Sequence, residues 1–224
     1  MSAMIKTENL CKSFSLGKQE VPVLRNVNIE IGDGEFVSIM GPSGSGKSTL
    51  LYLLGALDSA TSGSVVADGE NLSCMTDVDA SRYRRQKLGF VFQFYNLVPN
   101  LTVEENILLP VLLDGKKARD YKGRLAELIE VTHLTDRRRH LPAELSGGQQ
   151  QRVAIARALI HDPDIILADE PIGNLDSTTG TEIMKLFRQI NAERGKTIVQ
   201  VTHSEEAAEF GSRVIYLKDG EVQR

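Results

Sequence analysis

At 224 residues, with 41% hydrophobic and 25% charged residues, the chain can build one sizeable core, alone or with a small subdomain. Its net charge of −4 argues against a general nucleic-acid surface, and its two cysteines, Cys11 and Cys74, match no metal or redox spacing, which points to a reducing compartment. The N-terminus lacks the apolar run of a signal peptide, no stretch reaches the roughly eighteen apolar residues of a membrane span, and the chain by itself is expected to be soluble.

Met4 to Leu10 and Val23 to Ile31 alternate in part with period two and predict strands, and Asp33-Gly34 is a turn ahead of a further strand, Phe36 to Met40. That strand runs straight into Gly41-Pro42-Ser43-Gly44-Ser45-Gly46-Lys47-Ser48-Thr49, which fits the G-x-x-x-x-G-K-[ST] phosphate loop, and Lys47 starts an apolar helix from Ser48 to Leu57. Gly41, Gly44 and Gly46 allow backbone conformations closed to residues with a Cβ, so successive N–H groups point inward, and the helix N-terminus adds its free amides and positive dipole end. In such a loop Lys47 bridges the β- and γ-phosphates and the Ser48 hydroxyl ligates Mg²⁺. Val65-Val66-Ala67 followed by Asp68-Gly69 predicts another short strand and turn, and these early strands are expected to form a small antiparallel sheet beside the core.

From Ser81 the charge rises, and Phe90 to Gln93 reads as a short strand. Thr102 to Leu113 and Lys116 to Val131 are helical in pattern, punctuated by Pro99, Pro110 and Gly115. Leu145-Ser146-Gly147-Gly148-Gln149 is a turn opening a helix from Gln149 to Leu159, with Ser146 as its N-cap. It is a second anion-holding segment, without a lysine, so the pair suggests ATP gripped from two sides. Ile165-Ile166-Leu167-Ala168 is a continuous apolar run, as in a strand buried on both faces, and ends in Asp169-Glu170. A carboxylate there is costly unless it faces a cation, so coordination of Mg²⁺, through water, suits Asp169. An amphipathic helix over Thr178 to Ala192, a β-branched strand from Thr197 to Thr202 ending at His203, and a hairpin of Val214 to Leu217, Asp219-Gly220 and Glu221-Val222 complete the chain. The phosphate loop, Gln93, Asp169-Glu170 and His203 each follow a predicted strand, so a parallel sheet would bring them to one edge.

The phosphate loop, Gln93, Leu145 to Gln149, Ile165 to Glu170, Asn174-Leu175-Asp176 and His203 stand in the order found in ATP-binding cassette (ABC) ATPases, and the resemblance runs from about residue 4 to the end. The wording around them looks most like the lipoprotein-release and macrolide-export subfamily of transporter ATPases. The resemblance implies an α/β fold: a P-loop NTPase core with a mostly parallel sheet, an N-terminal antiparallel β-subdomain and an inserted α-helical subdomain. It implies a single ABC ATPase domain over residues 1–224, with the core at about 1–93 and 160–224 and the helical part at about 94–159. It makes Glu170 the general base, with a plain second carboxylate as the other reading, and His203 the switch histidine that contacts the γ-phosphate and positions Glu170. Lys47 joins these as a catalytic residue, and Gln93 resembles the glutamine able to contact both Mg²⁺ and water. Ser146, Gly147, Gly148 and Gln149 would cover the ATP held by a partner's phosphate loop; an ordinary capped helix start is the alternative. Asn174-Leu175-Asp176 resembles the D-loop that communicates between two such sites. The implied active unit is two copies, head to tail, around two ATP molecules with Mg²⁺.

Two positions depart from the family. Phe14 stands where an adenine-stacking aromatic, more often tyrosine, is found, with core packing as the other reading, and Ile172 replaces a more common threonine. Phe94-Tyr95-Asn96-Leu97-Val98-Pro99 is unusually apolar for a loop; it is read either as a docking surface for a separate transmembrane permease, shifted through Gln93, or as a local mini-core. The runs Arg82-Tyr83-Arg84-Arg85 and Arg137-Arg138-Arg139 read as solvated faces rather than a nucleic-acid site, with proximity to anionic lipid headgroups as the alternative for some of them. The expected function is therefore the ATP-hydrolysing subunit of an ABC transporter at the cytoplasmic face of the membrane. By subfamily it would drive export or extraction of a lipophilic or peptide-like substrate. A cassette ATPase acting on nucleic acid, a mechanotransmitter in cell division and a nucleotide-binding regulator without turnover are the competing readings.

Overall fold

The computed structural model describes residues 3–17 and 19–223. The alternating N-terminal stretches form β1 (Ala3–Leu16), β2 (Gln19–Val27) and β3 (Glu30–Gly32), followed by the wholly buried β4 (Phe36–Met40) and the helix α1 (Lys47–Leu54). β5 (Ser62–Ala67) and β6 (Glu70–Asn71) turn back through Asp68 and Gly69, both at positive φ, as a two-residue hairpin requires. β1 is antiparallel to β2, β3 and β5, which makes the expected small sheet, with β1 longer than its sequence pattern indicates.

α2 (Asp77–Lys87) is a helix where the sequence suggested only rising charge. It buries little beyond Ala80 and Tyr83, so it leaves no apolar stripe to read; its local signal is the Thr76 cap, which accepts from the Asp79 amide. Part of its basic run is structural: Arg84 donates to the Ala56 carbonyl, Arg85 to Ser81 Oγ at 2.8 Å, and Tyr83 OH to the Ala67 carbonyl at 3.1 Å. β7 (Leu88–Val91) follows and ends two residues before Gln93, where the sequence reading ended it.

Between β7 and the next strand lie α3 (Val103–Leu113), α4 (Lys122–Val131) and α5 (Gly147–Leu159). α3 opens on a capping box of Thr102 and Glu105 and runs through Pro110, which falls in its last turn and still accepts from the Asp114 amide. The stretch expected to be helical from Lys116 begins with a short 3-10 turn, Ala118–Tyr121, before α4. β8 (Ile165–Asp169), α6 (Ser177–Arg194), β9 (Thr197–Thr202), the short α7 (Glu205–Ala208) and the hairpin of β10 (Arg213–Lys218) and β11 (Glu221–Val222) complete the fold.

The larger sheet has the order β11-β10-β4-β9-β8-β7, parallel from β10 to β7, with β11 antiparallel at one edge. Its strands divide their side chains between two cores, as period-two geometry dictates. Val37, Ile39, Leu167, Val199 and Val201 pack with Leu50, Leu51 and Leu54 of α1, whereas Phe36, Ile166, Ala168 and Ile198 pack with Met184 and Phe187 of α6 and with the helices between β7 and β8. The fold is α/β, with one mostly parallel and one antiparallel sheet.

α5 packs close against Gly89 on β7: a Cβ there would lie 2.8 Å from the Ala158 carbonyl oxygen. Gly89→Val should therefore lower the unfolding free energy by about 1–3 kcal/mol, read from urea titration by circular dichroism.

Candidate functional site

β4 delivers the chain into the loop at Gly41, where a Cβ would stand 1.9 Å from the Leu217 carbonyl oxygen of β10, so only glycine fits. Gly46, at φ 97°, closes the loop as the N-cap of α1; a Cβ there would meet Leu24 at 2.8 Å. The Ser45 amide donates to the Pro42 carbonyl and the Gly220 amide to the Ser45 carbonyl, both at 3.2 Å, which ties the loop to the β10–β11 hairpin. Lys47 is buried, and its ammonium donates to the carbonyls of Gly41 at 2.8 Å and Pro42 at 3.0 Å. The loop borders a cleft of about 310 Å³ lined by Val23, Ser43, Gly44, Gly46 to Thr49, and Glu170. Val23 escaped the sequence reading because it comes from β2, and nothing local to it signals a cleft.

At the end of β8 the Asp169 carboxylate is buried and held by two hydroxyls from α1. Ser48 Oγ donates to Oδ1 at 2.9 Å and Tyr52 OH to Oδ2 at 2.8 Å. Burial, with Asp169 as a second cause, pushes the Tyr52 hydroxyl up to about 12. Tyr52 was not singled out from the sequence, although it lies one helical turn beyond Ser48 and so shares its face. Ser48 and Asp169 offer hard oxygens at the phosphate loop, which suit Mg²⁺ completed by phosphate oxygens and water.

Glu170 adopts a left-handed backbone, φ 45°, and its amide donates to the Val201 carbonyl at 3.0 Å. Glu170 Oε1 lies 2.9 Å from Nδ1 of His203, which follows β9; the glutamate side chain is 15% exposed and the histidine ring 69%. Gln93 is tied to the stretch before α6: Asn174 Nδ2 donates to its carbonyl at 3.1 Å, and its own Nε2 reaches Asn174 Oδ1 at 3.5 Å. Asp176 caps α6 by accepting from the Thr179 amide, and hydrogen bonds from the Thr179 side chain and then its amide hold the carboxyl below the usual range.

Ser146 and Gln149 form a reciprocal capping box at the start of α5, with Ser146 exposed. Gly148 is buried, and a Cβ there would come within 2.3 Å of Thr179, so this glycine serves the packing of α5 on α6. A Cβ at Gly147 would meet Tyr95 OH at 2.8 Å and Leu175 at 3.2 Å. Among the described residues lining the loop cleft there is none from Ser146 to Gln149, and Phe14 is also absent. Phe14 is 43% exposed, outside both cores, with the Lys12 ammonium 4.8 Å from its ring centroid. Ile172 fills the space over Gly180 and packs against the core.

The apolar loop after Gln93 is only in part a surface. Tyr95 and Leu97 are half-buried, whereas Phe94 is 70% exposed, so the residue best placed to meet a partner is Phe94. Tyr95 and Asn96 both take positive φ, held by Arg157 of α5, which donates to their carbonyls at 2.7 and 2.5 Å; burial pushes the Arg157 pKa down to about 10. Beside them an apolar groove of about 280 Å³ is bordered by Phe90, Phe92, Leu109, Leu113, Arg157 and His161.

The model of the ABC transporter family matches residues 24–173. The chain is also 51% identical, over 99% of its length and 96% of the relative's, to the uncharacterized ABC transporter ATP-binding protein MJ0796 of Methanocaldococcus jannaschii. The chain belongs to the ABC transporter family. It is the ATP-binding, ATP-hydrolysing cassette of such a transporter. It is similar to the lipoprotein-releasing system ATP-binding protein LolD 1 of Chlorobium chlorochromatii, at 44% identity over 99% of the chain and 91% of that protein. It matches the macrolide export ATP-binding/permease protein MacB of Brucella melitensis at 46% identity over 98% of the chain, which spans 34% of that longer protein. A dimeric structure of MJ0796 in a post-hydrolysis state, bound to ADP and Pi, superposes with a TM-score of 0.90 at 48% identity, covering 99% of this chain and 97% of that one. Among the described residues, no helix of the cassette is long and apolar enough to cross a membrane.

His161, at the groove, meets Tyr121 OH at 3.2 Å, and burial depresses its pKa below 6.5. The folded cassette therefore binds fewer protons here than the unfolded chain, so this contribution is present above about pH 6.5 and is lost as pH falls from there through the lower folded value. Denaturant titrations at about pH 7.5 and about pH 5 should show that decline, and His161→Gln should reduce it.

Proposed function

We propose that this cassette cleaves ATP as a head-to-tail dimer of identical chains, each completing the other's site, and thereby drives a separate membrane permease. The observation that carries the reading is the pairing of Glu170 with His203, 2.9 Å apart, at the rim of the cleft that holds Lys47. In the proposed mechanism Lys47 exchanges the Gly41 and Pro42 carbonyls for β- and γ-phosphate oxygens, while the loop amides and the α1 N-terminus hold the rest of the triphosphate. Phe14 offers its exposed face to the adenine. Glu170 orients a water for in-line attack and takes its proton, and His203 fixes the Glu170 carboxylate while presenting its exposed ring towards the γ-phosphate. Ser48 and Asp169 would hold Mg²⁺, with Gln93 reaching the same site, and the ion when bound neutralises charge on the phosphates.

Ser146, Gly147, Gly148 and Gln149 face a second copy in this reading, where the exposed Ser146 and the free amides of α5 cover the partner's ATP. Asn174, Leu175 and Asp176 lie between the two sites and, through Asn174, touch Gln93. The dimeric ADP- and Pi-bound state of the M. jannaschii relative supports this arrangement. The chain is treated as one ABC domain with its helical part at about 94–159. The groove beside Phe94 then serves the permease, placing the cassette at the cytoplasmic membrane face. Likeness to the lipoprotein-releasing and macrolide-export proteins favours export or extraction of a lipophilic or peptide-like substrate. No role for nucleic acid is proposed.

Glu170→Gln should still bind ATP, lose turnover by about 10²- to 10⁴-fold and elute as a dimer in the presence of ATP. Full turnover by the unaltered cassette at dilutions where it is monomeric would refute the shared site. Phe94→Asp and Leu113→Asp should leave basal hydrolysis intact but abolish its stimulation by the permease; loss of both together would instead mark these residues as part of the mini-core.

A further inference from the structure

We propose that Tyr52 is a positioning residue for Asp169, locking the carboxylate in the orientation that receives the metal; this rests on the reading of Asp169 as part of the Mg²⁺ site. A buried carboxylate needs partners, and Asp169 finds one for each oxygen on the same helix: Ser48 at 2.9 Å on Oδ1 and Tyr52 at 2.8 Å on Oδ2. The two donors stand one turn apart on α1, so they form a rigid pair of fixed spacing. Rotation of an aspartate about its last bond is soft, and one hydrogen bond leaves that rotation open. Ser48 has a second duty, since its oxygen must turn towards the metal when the ion enters. The bond from Tyr52 is the one that has no other task and persists through loading.

The ring of Tyr52 is itself restrained. It packs against Phe90 of β7, with centroids 6.1 Å apart and planes tilted by 50°, and Phe90 stacks in turn on Phe92 at 4.5 Å. The phenol spans the gap between helix and strand end that Ser48 crosses further along the carboxylate, and a phenylalanine would fill the same space without a donor. Partners of this kind behind a metal ligand typically change metal affinity by about ten- to a hundred-fold when removed.

The test is equilibrium binding of a fluorescent ATP analogue to the full chain carrying Glu170→Gln, titrated with Mg²⁺ and repeated in EDTA. Adding Tyr52→Phe should raise the Mg²⁺ concentration for half-maximal response by about 10-fold while leaving affinity in EDTA unchanged. An unchanged Mg²⁺ response, or an equal loss with and without the ion, overturns the proposal, the second outcome indicating a packing role. Asp169→Asn in the same background separates the two levels of the reading. If it abolishes the Mg²⁺ response and Tyr52→Phe does not shift it, only the role of Tyr52 falls; if it leaves the response intact, the metal assignment falls and the proposal with it.

Discussion

Parallel pairing of strands buried on both faces is the constraint on which the rest of this molecule depends. Because β4, β9, β8 and β7 run the same way, the residues that leave their C-terminal ends emerge along one edge. Gly41 leaves β4, His203 leaves β9, Asp169 and Glu170 end β8, and Gln93 lies just past β7. Strands paired in fixed register cannot shift these ends independently, so their spacing is set by register rather than by the loops.

At that edge each charged side chain of the proposed site is already paired within the chain. Lys47 rests on two loop carbonyls, Asp169 on two hydroxyls and Glu170 on His203. Burial makes an unpaired charge costly, so these partners hold the groups in place until nucleotide replaces some of them. In the proposed mechanism Lys47 gives up neutral carbonyls for phosphate, an exchange that charge favours. In the same proposed mechanism the Glu170–His203 pair needs no exchange, since Glu170 lines the cleft and the His203 ring is exposed.

The helices between β7 and β8 are tied to the loop that leaves this edge after Gln93. Arg157 of α5 holds Tyr95 and Asn96 in left-handed backbone, Tyr95 lies over Gly147 at the start of the same helix, and Asn174 grips Gln93. Three segments distant in sequence, the loop after β7, α5 and the stretch before α6, therefore share one set of contacts, and the loop that looks exposed in composition is half built into the core. Phe94 and the neighbouring apolar groove remain accessible outside it.

What the sequence by itself determined is whatever depends on residues a few positions apart: the phosphate loop and its helix, the cap at Ser146, the Asp-Gly hairpins and the apolar runs of the buried strands. The order of the motifs also told the family and the class of reaction, since that order survives without coordinates. Only the tertiary structure decided which side chains meet across elements. Tyr52 and Asp169 lie 117 positions apart, Val23 reaches the cleft from another sheet, α2 carries almost no apolar stripe, and Tyr95 turns inward rather than out. The physical reason is that such meetings depend on helix rotation, strand register and the packing of one element on another, and these are settled by the summed fit of two cores, not by any local stretch of chain.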